Sequence, residues 1–180
     1  MTKQTRSVRD MVYCAIGAVL IALCAWISVP VLEIAFTMQT FGVFLILGLL
    51  GGRRGTISVG VYLLLGLVGV PVFSGFRGTD ALFGVTGGYI LGFLGSALTY
   101  WLVTSLLGEK FRAQLLGMVL GLLVCYGFGS VWFCALYLRG GSSIALGAVV
   151  AKCVVPYLLP DAVKIALALS LTRRLKRFIP

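Results

Sequence analysis

Residues Leu115–Leu138 read LLGMVLGLLVCYGFGSVWFCALYL and contain no charged side chain. A helix of roughly 20 apolar residues is long enough to cross the hydrocarbon core of a bilayer. Similar stretches recur along the chain, and the second and third of them are short and glycine-rich, as is typical of tilted or partly buried helices in a compact bundle. We predict six membrane-spanning helices, at Met11–Val29, Gln39–Gly51, Thr56–Val70, Val85–Leu107, Leu115–Leu138 and Pro156–Thr172.

The overall composition agrees with this pattern. Of the 180 residues, 60% are hydrophobic and only 11% are charged, and the mean hydropathy is +1.09. A soluble domain contains about 45–50% apolar residues. The sequence therefore predicts an all-α, polytopic membrane protein in which residues 1–180 form a single membrane-embedded domain with six helices in one compact bundle.

One further apolar stretch, from Ile144 to Val155, contains Lys152. We expect an external loop or a helix packed on the bundle, with Pro156 and Pro160 marking the entry to the last span. A longer, kinked sixth helix is the open alternative.

The distribution of basic residues predicts the orientation, because cytoplasmic loops retain Lys and Arg. If both termini are cytoplasmic, only Arg77, Arg139 and Lys152 lie in loops on the opposite side. Eleven basic residues then lie inside: Lys3, Arg6, Arg9, Arg53, Arg54, Lys110, Arg112, Arg173, Arg174, Lys176 and Arg177. This asymmetry predicts an even number of crossings in the cell membrane. It also accounts for the net charge of +10 without any nucleic-acid partner.

Several classes of chemistry are excluded by what the sequence lacks. The chain contains no histidine, and of its five carboxylates only Asp161 lies deep in a predicted span. We therefore predict no enzyme activity, no metal site and no cofactor. The turn from Gly51 to Thr56 lacks the Gly-Lys-Ser/Thr ending of a phosphate-binding loop. Any ATP-driven transport would need another subunit to hydrolyse the nucleotide.

Asp161 and Lys164 form the first candidate binding site. They are three residues apart and share one face of a helix. Ionisable groups within an apolar span usually face a protein interior or a substrate cavity. We therefore predict that both contact a polar ligand. The alternative is that the two charges only neutralise one another.

Four blocks of the sequence, in this order, resemble the BioY family. They are FTMQTF at 36–41, GGRRG at 51–55 followed by YLLLGLVGVPVF at 62–73, GVTGGYILGF at 84–93, and Pro160-Asp161-x-x-Lys164. BioY proteins are the biotin-specific substrate-capture components of energy-coupling-factor (ECF) transporters. The resemblance implies biotin as the ligand, with a transmembrane coupling subunit and two ABC ATPase subunits as partners in the lipid bilayer.

The resemblance also implies roles for individual residues. Asp161 would accept from a ureido N–H of biotin, while Lys164 would donate to the ureido oxygen or neutralise the ligand's carboxylate. With Pro160 fixing the backbone there, the start of the last helix would also present unpaired N–H groups and its positive end to an anion. Tyr89 and Gln39 are further predicted ligand contacts, with an interfacial tyrosine and a packing glutamine as alternatives.

The resemblance further implies moving and docking parts. The loop from Val72 to Leu82 would close over the ligand. Ala18 and Ala22 form a small-residue stripe that would dock the coupling subunit, or instead pack within the chain's own bundle. The glycines Gly84, Gly87, Gly88 and Gly92 are expected to permit close helix approach. Two alternative functions remain open: a substrate-capture component for a different vitamin, and a non-transporting membrane scaffold that binds no small ligand.

Overall fold

The computed structural model describes residues 3–29, 35–141 and 145–177, without the side chains of residues 3–7. Glu33 and Ile144, and the side chains of Lys3 and Arg6, therefore lie outside the described set. The helices are α1 (Lys3–Trp26), α2 (Gln39–Leu67), α3 (Thr79–Phe83), α4 (Gly87–Leu107), α5 (Phe111–Arg139), α6 (Leu146–Cys153) and α7 (Val155–Leu175). Two short antiparallel strands, β1 (Ser28–Val29) and β2 (Phe36–Thr37), also occur.

The prediction of an all-helical membrane fold is confirmed in its main point. Within the described residues, five helices are long and apolar enough to cross a membrane: α1, α2, α4, α5 and α7. The first predicted span was too long at its end, because Ser28 and Val29 leave the helix and pair with Thr37 and Phe36. At its other end α1 begins at Lys3, about two turns before the predicted Met11, and the differences in the remaining long helices are within about one turn.

The helix α2 doubles back on itself at Gly51. Gly51 has φ 78° and ψ 171°, a backbone conformation that interrupts the helix and that glycine adopts without steric penalty. A Cβ on Gly55 would lie 2.8 Å from the Cα of Leu47. In a continuous helix these two residues would be ~12 Å apart along the axis. The two halves of α2 therefore lie side by side as a helical hairpin.

The hairpin corrects one predicted boundary. We expected a turn from Gly51 to Thr56, but only Gly51 departs from helical geometry, so Arg53 and Arg54 lie in the first turn of the second half. Helix α1 packs across both halves. A Cβ on Gly17 would lie 3.0 Å from Ile46 Cγ2 and 3.0 Å from Ser58 Cβ, one residue from each half.

Helices α4 and α5 pack closely because glycines on each helix leave room for the backbone and side chains of the other. Gly88 and Gly92 on α4 lie against Trp132 and Cys125 of α5. In return, a Cβ on Gly121 of α5 would lie 2.8 Å from the Ser96 backbone oxygen. The predicted role of Gly88 and Gly92 in close helix approach is confirmed.

The connection between α5 and α7 contains the short helix α6. Lys152 lies in the last turn of α6, as expected for a helix packed on the bundle. The last span, predicted to begin at Pro156, begins one residue earlier, but Pro160 does not lie at the helix start, where we expected unpaired N–H groups to face an anion. Helix α7 begins at Val155, with Pro156 in its first turn and Pro160 in its interior. The first turn of a helix tolerates a proline, because the N–H that proline lacks would have no intrahelical partner there.

Most of the charge lies at one end of the bundle, which we call the basic end. Arg54 Nη2 is 2.8 Å from Asp10 Oδ1, and Lys176 pairs with Glu109. These ion pairs bring together the start of α1, the break in α2, the α4–α5 connection and the end of α7. The β1–β2 pair, α3 and α6 lie in the connections at the other end.

Candidate ligand-binding site

A cavity of about 430 Å³ lies among the helix ends opposite the basic end. Its volume is within the range of small-molecule sites, roughly 300–1,000 Å³. We call it the ion-pair cavity. All four predicted ligand contacts line it: Gln39, Tyr89, Asp161 and Lys164. Its further aromatic walls are Phe73, Phe93, Tyr126 and Tyr157.

Asp161 and Lys164 form a buried ion pair on α7. Each residue is only 4% exposed, and Lys164 Nζ lies 2.7 Å from Asp161 Oδ1. The hydroxyl of Tyr126, on α5, donates to the other carboxylate oxygen at 2.6 Å. A carboxylate has about four acceptor positions. Asp161 can therefore accept a further hydrogen bond from a ligand while both of these contacts persist.

Lys164 is also held from a second direction. Its Nζ lies 4.2 Å from the centre of the Phe36 ring, a cation–π geometry. An ammonium group has three N–H donors, and one of them is used by Asp161. The pair therefore presents an acceptor and a donor next to each other at the cavity wall.

Tyr89 is fixed in the cavity wall by α5. Its ring lies directly over Gly129, where any side chain would collide with it. Its hydroxyl is 3.3 Å from Ser130 Oγ, and the Cys125 thiol donates to its carbonyl oxygen at 3.3 Å. The ring is therefore held against α5 in the wall of the cavity.

Gln39 lies at the first turn of α2 and is 4% exposed. Its backbone N–H donates to Thr37 Oγ1 at 3.3 Å. Its side-chain Nε2 is buried and has no hydrogen-bond partner among the described residues. Buried polar groups are nearly always hydrogen-bonded, so this amide is suited to contact a polar ligand.

The rim of the cavity consists of two chain segments, and Trp26, close to the first segment, contacts residues beside the second. Ser28 and Thr37, in the β1–β2 pair, line one side, while Ser74, Gly75 and Arg77 line the other.

Trp26 lies at the end of α1. Its Nε1 donates to the Pro71 carbonyl oxygen at 2.9 Å, and its ring centre is 5.1 Å from that of Phe76. Phe76 has φ 57°, a left-handed conformation that is unfavourable for a phenylalanine. We call the Trp26 contacts with Pro71 and Phe76 the rim clasp.

Arg77 was not assigned a role from the sequence, yet it lines the cavity. Its guanidinium donates to the Asp80 carboxylate, and that hydrogen bond holds the pKa of Asp80 below its usual value. The basic side chain is thus kept at the cavity rim by a neighbour three residues away. The only sequence signal for it was an isolated Arg between glycines in a loop.

Ala18 and Ala22 do not lie on the surface of the described bundle. They are 1% and 6% exposed, respectively. They belong to the same apolar core as Val43 and Leu47 of α2. In this conformation the stripe packs inside the chain, which favours the alternative we gave for it. Its role in docking a partner stays a prediction.

A second cavity, of about 750 Å³, lies at the basic end. Its walls include Asp10, Gly51, Arg54, Trp101 and Glu109, so it lies directly beside the hairpin turn of α2. None of the predicted ligand contacts lines it.

Comparison with known proteins gives a consistent result. The model of the BioY family matches residues 1–180. The chain is 37% identical over 174 residues to the biotin transporter BioY of Thermotoga maritima, covering 94% of this chain and 96% of that protein. It is 33% identical to a probable biotin transporter BioY of Pyrococcus horikoshii, over 90% of this chain and 93% of the relative.

One solved crystal structure has the same fold. It is the S-component for biotin from an ECF-type ABC transporter. The TM-score is 0.83 at 25% sequence identity, and the match covers 98% of this chain and 95% of the other.

Proposed function

The chain belongs to the BioY family, and from that membership we propose that its ion-pair cavity binds biotin. It is a multi-pass membrane protein and not an enzyme, and it serves biotin uptake as the substrate-binding S component of an ECF-type transporter. The observation that carries the proposal is the buried Asp161–Lys164 pair in the wall of a cavity of about 430 Å³.

The recognition chemistry follows from the arrangement of donors and acceptors. The ureido group of biotin presents an N–H donor beside a carbonyl acceptor. Asp161 accepts from the N–H and Lys164 donates to the carbonyl oxygen, so one buried ion pair satisfies both. Tyr89 packs against the fused rings, and the unpartnered amide of Gln39 donates to a remaining acceptor.

The carboxylate of biotin lies on an aliphatic tail, so it reaches a different part of the cavity from the ureido ring. Arg77 at the rim supplies a positive charge there. This assignment gives Lys164 the ureido oxygen and Arg77 the carboxylate. The loop from Val72 to Leu82 then closes the cavity over the bound ligand.

The proposed topology has six crossings, with both termini in the cytoplasm. The reversal of α2 at Gly51 supports six rather than five, because each half of α2 then crosses once. The basic end contains Arg53, Arg54, Arg173 and Arg174, which supports its cytoplasmic location. The ion-pair cavity then opens to the external side, where a capture protein needs it.

The proposed partners are a transmembrane coupling subunit and two ABC ATPase subunits, since the turn from Gly51 to Thr56 lacks the ending of a phosphate-binding loop. Replacing Ala18 and Ala22 together by Leu separates the two roles of their stripe. Loss of uptake with normal biotin binding would support docking. Equal loss of both activities would support packing inside the bundle, which the burial of the two residues favours.

The test of the proposed function is calorimetric titration of the purified protein with a panel of vitamins. We expect saturable binding of biotin at one site and no heat of binding from thiamine, riboflavin or folate. Tight binding of another vitamin would replace biotin as the ligand. No binding of any member of the panel would favour the non-transporting scaffold.

A further inference from the structure

Tyr126, on α5, donates a hydrogen bond to the carboxylate of the buried ion pair on α7. The hydroxyl donates to Asp161 Oδ2 at 2.6 Å, while Lys164 occupies Oδ1 at 2.7 Å. A short hydrogen bond from a neutral hydroxyl to an ionised oxygen is among the stronger contacts in a protein. The carboxylate is therefore held between two donors on different helices.

Burial restricts the movement of the Tyr126 ring, just as the hydrogen bond restricts its hydroxyl. It is 8% exposed and lies among the residues of α5 that line the cavity, one turn after Leu122. Its ring cannot swing away without displacing core residues, because protein interiors are close-packed. A rigid donor at a fixed distance restricts the rotation of the carboxylate about its own side-chain bonds.

We propose that Tyr126 is a positioning residue for ligand recognition, which fixes Asp161 so that its unused acceptor positions face the ion-pair cavity. This inference rests on the proposed function, since it assigns Asp161 to a ureido N–H of biotin. The hydrogen bond from Lys164 cannot supply the same restraint, because Lys164 lies on the same helix as Asp161. Tyr126 anchors the pair to α5 instead.

The test compares Tyr126→Phe with Tyr137→Phe, a matched control on the same helix whose ring stacks on Phe133 at 4.8 Å. Affinities are measured by competition with radiolabelled biotin. We expect Tyr126→Phe to weaken biotin binding about tenfold or more, the usual effect of losing a hydrogen bond to a charged group. Tyr137→Phe should leave the affinity within about twofold of the wild type, because it removes no contact to Asp161.

A second measurement separates positioning from general damage. It uses two biotin derivatives, each methylated on one of the two ureido nitrogens. Tyr126→Phe should lose affinity for the derivative that keeps the N–H facing Asp161, and change little for the derivative that blocks it. Equal losses for both derivatives, or an unchanged affinity for biotin, would overturn the proposal.

If Tyr126→Phe is not monodisperse, Tyr126→Met takes its place, since it also lacks the donor and packs flexibly. The same comparison of the two derivatives then decides. Absence of biotin binding by the wild type would instead contradict the proposed function.

Discussion

Asp161 is buried, charged and close to a cavity, and the energetic consequences of these three properties differ. A buried ion pair adds little to stability, because the loss of hydration offsets the attraction between the charges. Removing one partner, however, leaves the other charge buried and uncompensated. The pair is therefore better explained by binding than by folding, and its variants should show this.

We expect Asp161→Asn and Lys164→Met each to weaken biotin binding by about 30-fold to several-thousand-fold, equivalent to roughly 2 to 5 kcal/mol. The reason is that each change leaves both a buried partner and a ligand group unpaired. Calorimetric titration of the single variants and the double variant measures the effect. Near-wild-type affinity in any of the three would mean that the pair does not hold the ligand.

At this scale the sequence singled out polar side chains that line the cavity, but not the residues that support them. Asp161 and Lys164 were recognisable because charges are rare in apolar spans. Tyr126 was not, because a tyrosine in such a span is ordinary and its partner is on another helix. Arg77 gave no pattern of its own, and only the folded loop brings it to the cavity rim.

Among the elements, the hairpin of α2 depends on a single backbone conformation. An alanine at Gly51 would have to adopt φ 78°, and its Cβ would lie 2.9 Å from Glu109 Oε1. We expect Gly51→Ala to lower the free energy of unfolding by about 1–3 kcal/mol. Thermal unfolding in detergent micelles measures this.

Gly60 provides the matched control on the same helix. A Cβ there has no atom within 4 Å, and alanine in a helix interior is more favourable than glycine by about 1 kcal/mol. Gly60→Ala should therefore maintain or raise the unfolding temperature. A similar loss of stability in both variants would mean that the break at Gly51 is not the cause.

The rim clasp predicts a kinetic effect. Replacing Phe76 by Asn removes the ring while keeping a residue that tolerates the left-handed conformation. An aromatic pair contributes about 0.5–1.5 kcal/mol. We therefore expect biotin to dissociate about 2- to 10-fold faster from Phe76→Asn, measured by chasing labelled biotin with unlabelled ligand.

Phe83 is the control for this experiment. It lies in the same connection and is 66% exposed, against 65% for Phe76. Phe83→Asn removes a ring for which the structure gives no aromatic partner among the described residues. Equal dissociation rates for the two variants would show that the clasp does not hold the rim closed.

The elements were predicted closely where hydropathy alone decides them, as in α4 and α5. The differences lie where local backbone chemistry decides. The chain reverses at Gly51 alone, where we had predicted a longer turn, and Pro160 lies in the interior of a helix. The rim pairing of Ser28 with Thr37 was not predicted, because two residues are too few for a strand pattern.

For the whole molecule, the number of crossings decides where the termini lie. Six crossings place them on the same side, and a single crossing by α2 would place them on opposite sides. We expect enzymatic reporters fused after Pro180 and inserted at Gly108 to be active only in the cytoplasm, and one inserted at Gly141 only outside. External activity of the C-terminal reporter would contradict the six-crossing topology.

The hairpin of α2 also has a consequence for the surrounding lipid. Its first half, Gln39–Leu50, rises only ~18 Å, while the hydrocarbon core is about 30 Å thick. We therefore expect lipid headgroups and water to approach Gly51, where the second cavity already indents the basic end. On the proposed six-crossing topology the bilayer beside this helix pair is locally thinned, and each additional ångström of membrane thickness costs a fraction of a kcal/mol. The acyl-chain length of the host membrane thus sets part of the energy needed to tilt the protein within it.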